Sequence, residues 1–214
     1  AFKSIDIQGV DARNDFLREV SVLRQLTHPR IVQICDVILT KEHTGVVMPR
    51  AFGSLENWLQ IHGKLPPRLA VVSTIALLEA LEFAHSKGIL HRDIKPGNVL
   101  VFGDGDIKLC DFGAALDLDT PESMTSTGVV LGTLPYLAPE RRRGHGATVA
   151  SDIYGVGATL AHLLTGSTPG DLYASDWIDE LRPSIPGGLV DVLERAGMHQ
   201  PTARFESAKA MRET

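Results

Sequence analysis

His91-Arg92-Asp93-Ile94-Lys95-Pro96-Gly97-Asn98, followed by Asp111-Phe112-Gly113, is the stretch that decides how this chain reads. Between the two motifs lie an apolar run, Val99-Leu100-Val101, a turn, Gly103-Asp104-Gly105-Asp106, and a second run, Ile107-Lys108-Leu109-Cys110. Short apolar runs joined by a glycine- and aspartate-rich turn predict a β-hairpin. Antiparallel pairing sets the start of the first strand beside the end of the second, so Asn98 and Asp111 become neighbours. Their oxygens then suit a hard cation such as Mg²⁺.

The same residues admit a plainer reading, in which Asp93, Asp104, Asp106 and Asp111 are turn and capping carboxylates or a calcium loop. An EF-hand needs its glycine and terminal glutamate at set positions, and those are missing. A carboxylate, a lysine two residues on and two metal-binding side chains instead read as phosphoryl-transfer machinery.

With Gly132-Thr133, Tyr136, Ala138-Pro139-Glu140 and Ser151-Asp152-Ile153-Tyr154 following in order, the chain resembles the catalytic domain of eukaryotic-type serine/threonine protein kinases, in a bacterial-like form. The resemblance runs from Lys3 to Met211. It implies an α+β, two-lobe fold over residues 1–214, with a truncated, β-rich N-lobe over 1–50 and a mainly helical C-lobe over 51–214. It also implies ATP and Mg²⁺ as cofactors and proteins with Ser or Thr hydroxyls as substrates, with dimerisation as the arrangement for phosphorylation in trans.

Composition fits one globular unit. The chain has 214 residues, 43% of them hydrophobic, and a formal charge of −5. The acidic balance gives no footprint for nucleic acid, and Arg141-Arg142-Arg143 reads as a solvated surface stretch. Cys35 and Cys110 cannot make a disulfide framework; both sit in apolar runs that look like core strands, and a reducing, cytoplasmic setting fits them. The apolar stretch Leu69 to Leu78 is broken by Ser73 and Thr74 and falls short of the roughly 20 residues a bilayer needs, so no membrane segment is expected.

Residues 1–5 look like the tail of a strand, and Asp11 to Leu26 carries Phe16, Val20 and Leu23 at helical spacing. Glu19 shares that inward face and wants a cationic partner. His28-Pro29 ends the helix. Ile31 to Leu39 and Thr44 to Met48 read as strands. Val71, Ile75, Leu78, Leu81 and His85 then mark an amphipathic helix leading into the catalytic loop. Asp152 to Leu164 is apolar nearly all round and belongs inside the domain, its Gly155 and Gly157 serving close helix packing. Trp177 to Met211 reads as short helices broken at Pro183, Pro186-Gly187-Gly188 and Pro201.

The resemblance assigns roles residue by residue. Asp93 orients the acceptor hydroxyl and takes its proton, and Lys95 stabilises the transferring phosphoryl group. Asp111 and Asn98 hold the metal ions, and Lys3, paired with Glu19, contacts the α- and β-phosphates. The hinge for adenine falls at Pro49 to Ala51: Pro49 offers its carbonyl, so proline costs nothing there, and Ala51 offers its N–H. Met48 takes the gatekeeper place or is an ordinary core methionine. Lys95 and Thr133 resemble the Ser/Thr-specific class. Arg92 is the arginine that pairs with phosphate on an activation loop, where Thr125 and Thr127 are the phosphorylation candidates. Glu140 pairs with Arg204, and Asp152 anchors the catalytic-loop backbone.

One part of the family pattern is missing: the glycine-rich strand pair that lids the phosphates should precede Lys3. A fragment of a longer protein is therefore expected. The competing readings are a pseudokinase-like scaffold or binding module, and a small-molecule phosphotransferase of related fold.

Overall fold

Among the described residues the buried apolar side chains gather in two clusters, a small one at one three-stranded sheet and a large one that joins a second such sheet to the helices. The computed structural model describes residues 2–4 (backbone only), 17, 20–21, 23–40, 44–112 (Asp104 by its backbone alone), 134–174, 178–179, 182–183 and 185–214. In the first sheet, β1 (Phe2–Ser4) and β2 (Asp36–Leu39) flank β3 (Thr44–Val47), all antiparallel, with Lys3 opposite Val46. Val20 and Val46 are buried beneath it, with Ile34, Val37, Leu39 and Met48 packed around them. Val20, Ser21 and Leu23 are helical, and the chain has turned by Arg24, three residues sooner than the apolar spacing suggests.

The second sheet joins β4 (Gly53–Ser54), β5 (Val99–Val101) and β6 (Ile107–Leu109). The predicted hairpin is present: Val99 faces Leu109, Val101 faces Ile107, and Gly103–Gly105 closes the turn as a single 3₁₀ turn. Ile31 to Cys35 is not a strand. Ile31 only bridges Leu109, because Arg30 and Val32 spend their backbone groups on that one residue. Cys35 is consequently exposed and Cys110 partly so, rather than both lying in core strands.

Helices make up most of the remainder: α1 (Leu55–His62), α2 (Pro67–Ser86), α3 (Pro139–Arg142), α4 (Val149–Thr165), α5 (Gly187–Ala196) and α6 (Ala208–Arg212). Ser54 and Asn57 close a capping box on α1, and Thr148 and Ser151 do the same on α4. The α2 helix packs on α4, α6 and β6. Its buried face holds Leu78 and Leu81 as expected but departs at Ile75, which is exposed, and adds Ala70, Ser73, Thr74, Leu77 and Ala84. Small residues let the helices approach, and the Ser73 and Thr74 hydroxyls satisfy themselves on the carbonyls four residues back, each at 2.8 Å. At 20 residues α2 is also longer than the Leu69–Leu78 stretch suggests, and by length and composition alone it could cross a membrane. Half of that window is buried against the rest of the protein, as in a core helix.

The α4 helix is the interior post of the fold, with Ser151 to Leu164 all buried. A Cβ added at Gly157 would lie 2.9 Å from Ala196 Cβ on α5, and one at Gly155 would lie 3.1 Å from Ile94 Cβ. Gly157→Ala is therefore expected to cost about 1–3 kcal/mol by overpacking. Thermal denaturation should show a lower melting temperature, and an unchanged one would mean that the two helices are not in that contact. Toward the C-terminus, Pro186-Gly187-Gly188 starts α5 rather than breaking a helix, since Pro186 sits just before the first turn, where the orphan N–H groups need no partner from it.

Candidate active site

The catalytic loop is built around one buried carboxylate. Asp152, at the start of α4, accepts from the N–H of His91 and the N–H of Arg92, both at 2.9 Å, and from His85 Nε2 at 2.9 Å. Burial alone would push this carboxyl up, but the hydrogen bonds and the charge of His85, with His91 behind it, hold it below the ordinary aspartate value. Two N–H bonds to a single side chain fix Arg92 at φ 70°, a left-handed conformation that non-glycine residues rarely adopt.

His91 carries that order to the second motif. Its Nε2 donates to the Cys110 carbonyl at 2.9 Å, its Nδ1 accepts from the Asp93 N–H at 3.3 Å, and its ring meets Phe112 edge-on at 4.6 Å. Full burial lowers its pKa against the pull of the Asp152, Asp93 and Asp111 carboxylates, so the imidazole stays neutral in the tautomer that serves both partners.

The structure brings Asp93, Lys95 and Asn98 together. Lys95 Nζ lies 2.6 Å from Asp93 Oδ2, and Asn98 Nδ2 donates to the Asp93 carbonyl at 2.7 Å and to its Oδ2 at 3.1 Å. With its amide nitrogen spent on Asp93, the Asn98 side chain keeps Oδ1 for a cation. The Cys110 N–H donates to the Asn98 carbonyl at 2.9 Å, which extends the β5–β6 ladder and sets Asp111 next in line, exposed and at φ 66°. Among the described residues no group of three His, Cys, Asp or Glu side chains could hold an ion. An amide oxygen and one carboxylate leave most coordination positions to phosphate and water, the habit of Mg²⁺ rather than of Ca²⁺ or Zn²⁺.

The hinge is fixed to the same sheet. Phe52 N–H donates to the Val101 carbonyl at 2.9 Å and Gly53 pairs with Val101, so the segment from Pro49 to Ala51 is anchored to the hairpin between Asn98 and Asp111. Among the described residues neither the Pro49 carbonyl nor the Ala51 N–H has a hydrogen-bond partner. Met48, half-buried, packs against the small cluster.

The end of the domain is tied down by Arg204, whose side chain is fully buried. It forks onto Glu140, Nη1 to Oε1 at 2.7 Å and Nη2 to Oε2 at 2.8 Å, and also donates to the carbonyls of Met198, Ala150 and His199. Burial would raise the Glu140 carboxyl, yet the Arg204 fork holds it below the usual range. Lys3 is described only by its backbone on β1, and Glu19, Thr125, Thr127 and Thr133 lie outside the described residues.

Several supporting groups are invisible to periodicity. Arg30 reaches Glu79 at 2.9 Å and Asp106 at 2.8 Å, tying the turn after His28-Pro29 to α2 and to the hairpin. His28 stacks on Phe83 at 5.0 Å. Tyr136 Oη lies 2.5 Å from His162 Nδ1 inside the core. Burial raises the Tyr136 phenol and lowers the His162 imidazole, with the Glu56 carboxylate opposing the latter, so both rings are neutral.

A pH dependence follows. Burial also lowers His28, with Arg30 in the same sense and Glu79 and Glu82 opposing. The unfolded chain takes up these protons near 6.5 and the folded chain only below that. The unfolded state therefore binds more protons just under 6.5, and acid favours it. Melting temperature should be level above about pH 7 and fall as pH drops through 6.5. His162→Gln should flatten part of that slope, and a melting temperature that rises on acidification would contradict the assignment.

The protein kinase domain family matches residues 1–181. The chain is 40% identical over 174 residues to the probable serine/threonine-protein kinase PknB of Lactococcus lactis, an alignment covering 80% of this chain and 28% of that protein. It is 35% identical to the serine/threonine-protein kinase PrkC of Bacillus subtilis, covering 97% of this chain and 35% of that protein. Against the serine/threonine-protein kinase PkaA of Streptomyces coelicolor it is 38% identical, covering 88% and 37%. The chain thus spans about a third of the length of these relatives. A neutral histidine clamping the loop of Asp93 to the hairpin end of Asp111, a bidentate Glu140–Arg204 pair and a match over residues 1–181 agree: the chain belongs to the protein kinase family.

Proposed function

We propose that this chain transfers the γ-phosphate of ATP to Ser or Thr hydroxyls of proteins. The observation that carries the reading is the contact between Asp93, Lys95 and Asn98, supported by the Cys110 N–H on the Asn98 carbonyl one residue before Asp111. The Asp93 carboxylate orients the acceptor hydroxyl and takes its proton as the oxygen attacks phosphorus; Lys95, already against Asp93, neutralises charge on the transferred group. Asn98 Oδ1 and the Asp111 carboxylate are the atoms that would hold Mg²⁺, which supplies charge neutralisation on the phosphates. Pro49 and Ala51 present a carbonyl and an N–H to the adenine edge, and Met48 stands behind it. In this reading residues 1–50 and 51–214 act as two lobes, Lys3 with Glu19 cradles the α- and β-phosphates, and Thr133 helps present the acceptor.

Regulation follows the same reading. Arg92, half-buried and with its backbone N–H fixed by Asp152, receives phosphate placed on Thr125 or Thr127 by a second copy of the chain. In this reading the domain works in a cytoplasmic setting, with which its two free cysteines agree.

Incubation with labelled ATP, Mg²⁺ and a Ser/Thr-rich acceptor protein, followed by phosphoamino-acid analysis, tests the proposal. Phosphoserine or phosphothreonine is expected, with phosphate on Thr125 or Thr127 by mass spectrometry. Equal labelling by the wild type and by Asp93→Asn and Asp111→Ala variants would remove it.

A further inference from the structure

The three arginines Arg141-Arg142-Arg143 follow Glu140 at the end of α3, directly after the segment Leu134–Tyr136 to Ala138. Their guanidinium groups are used differently. Arg142 is spent inside the fold, with Nε donating to the Leu137 carbonyl at 2.9 Å and Nη1 pairing with Asp171. Arg141 donates to the His145 carbonyl at 3.1 Å. Arg143 is exposed, and its Nη2 sits 3.0 Å from His199 Nε2, so a cation is held against a ring nitrogen instead of a carboxylate.

The carboxylates nearby are already committed. Asp171 Oδ1 takes Arg142, and its Oδ2 accepts the Tyr173 hydroxyl at 2.8 Å. Glu140 is consumed by the buried fork of Arg204. Among the described residues no carboxylate lies within ion-pair distance of Arg143 or His199. In a chain of net charge −5 this leaves, among the described residues, a local cationic surface whose neighbouring carboxylates are already paired.

That surface is also preorganised. The Tyr173 ring meets His199 edge-on at 5.0 Å, which closes a circuit from Arg142 through Asp171, Tyr173 and His199 to Arg143. Beneath it, Arg204 donates to the Met198 carbonyl at 2.8 Å and to the His199 carbonyl at 3.3 Å. A guanidinium aimed by an imidazole whose backbone is fixed from below has little side-chain freedom left to lose when an anion arrives. Tyr173, 42% exposed, forms the lip.

We propose that Arg143, aimed by His199 and walled by Tyr173, receives an anionic side chain of the acceptor protein, a carboxylate or a phosphorylated hydroxyl near its target Ser or Thr. This rests on the function proposed above, because it takes the adjoining segment as the place where acceptors dock. Arg143 here selects among substrates and has no part in phosphoryl transfer.

Binding separates the two ideas, since it requires no turnover. Three fluorescently labelled peptides share one Ser-containing sequence and differ only in flanking residues, which are glutamine, glutamate or phosphoserine. Anisotropy should show the glutamate or phosphoserine peptide binding about five- to tenfold more tightly than the glutamine peptide. A phosphoserine peptide tighter than the glutamate one would identify phosphate as the anion, and equal affinities would identify carboxylate as sufficient. Arg143→Ala should abolish the preference, Arg143→Lys should keep part of it, and Arg143→Glu should turn it toward a lysine-flanked peptide. Equal affinity for all three peptides, absence of binding, or a preference that survives Arg143→Ala and Arg143→Glu would overturn the proposal. A chain that binds selectively yet transfers no phosphate would instead sink the function proposed above and leave this surface standing.

Discussion

Asp93→Asn is expected to lower the rate of phosphate transfer by about 10²–10⁴-fold while leaving ATP affinity close to that of the wild type. The substitution keeps the shape of the side chain and its capacity to face Asn98 Nδ2, 3.1 Å away, but removes the charge that orients and deprotonates an acceptor hydroxyl. Lys95 loses its counter-ion, at 2.6 Å in the wild type. Because both side chains remain roughly a quarter exposed, at 23% and 28%, that loss belongs to the class of solvent-screened pairs worth about 1 kcal/mol or less. The account therefore predicts a separation: kcat collapses, while the melting temperature moves by no more than a few degrees. Steady-state kinetics together with calorimetry checks both halves. A variant that unfolds, or one that transfers phosphate at the wild-type rate, would show that Asp93 does not hold the role given to it.

Glu140→Ala is expected to have the opposite profile, a large loss of stability. Removing the carboxylate strands the Arg204 guanidinium, whose side chain is fully buried, with carbonyl oxygens and the Tyr154 ring but no counter-charge against it. Breaking a buried pair from one side costs about 3–5 kcal/mol, against a total stability of about 5–15 kcal/mol for a domain. At this size the melting temperature should drop by about 10 °C. Glu140→Gln keeps one oxygen acceptor for the guanidinium, sets its NH2 against the other Nη and removes the charge, so it should fall between the wild type and Glu140→Ala. The pair spans 64 residues, from the start of α3 to the approach of α6, so its loss should loosen the α3 region and the C-terminal helix together. Hydrogen exchange that rises at both ends would support this, whereas a melting temperature unchanged by Glu140→Ala would mean that the fork contributes nothing net.

Much of the site was legible because its chemistry is local. The hairpin follows from turn residues at 103–106 between short apolar runs, and the ladder then sets Cys110, the residue before Asp111, against Asn98. The interior position of α4 follows from glycines and alanines among large apolar residues, and the contacts at Gly155 and Gly157 give the reason: even a methyl group there would press on Ile94 and Ala196. Other features depend on distant pairings that no spacing encodes. His85 could be placed on a helix but not against Asp152, 67 residues away, and Arg30 gave no sign of bridging Glu79 and Asp106.

The buried face of α2 was misread at Ile75 for a related reason. Periodicity weighs apolar residues, whereas close packing on α4 and α6 rewards small ones, and Ser73 and Thr74 can be buried because each hydroxyl bonds within its own helix. Pro186-Gly187-Gly188 looked like a break because its residues are poor inside helices, although proline is at home where a helix begins.

The proposed chemistry requires Asp93, Asn98 and Asp111 to converge on one nucleotide–magnesium pocket. A crystal structure of the chain with Mg²⁺ and a non-hydrolysable ATP analogue tests it most directly. Expected are Asn98 Oδ1 and an Asp111 carboxylate oxygen about 2.0–2.1 Å from magnesium, Asn98 Nδ2 still on Asp93, and the Asp93 carboxylate turned toward the terminal phosphate. A nucleotide whose metal is held by other side chains, with Asp93 and Asp111 facing separate surfaces, would contradict it.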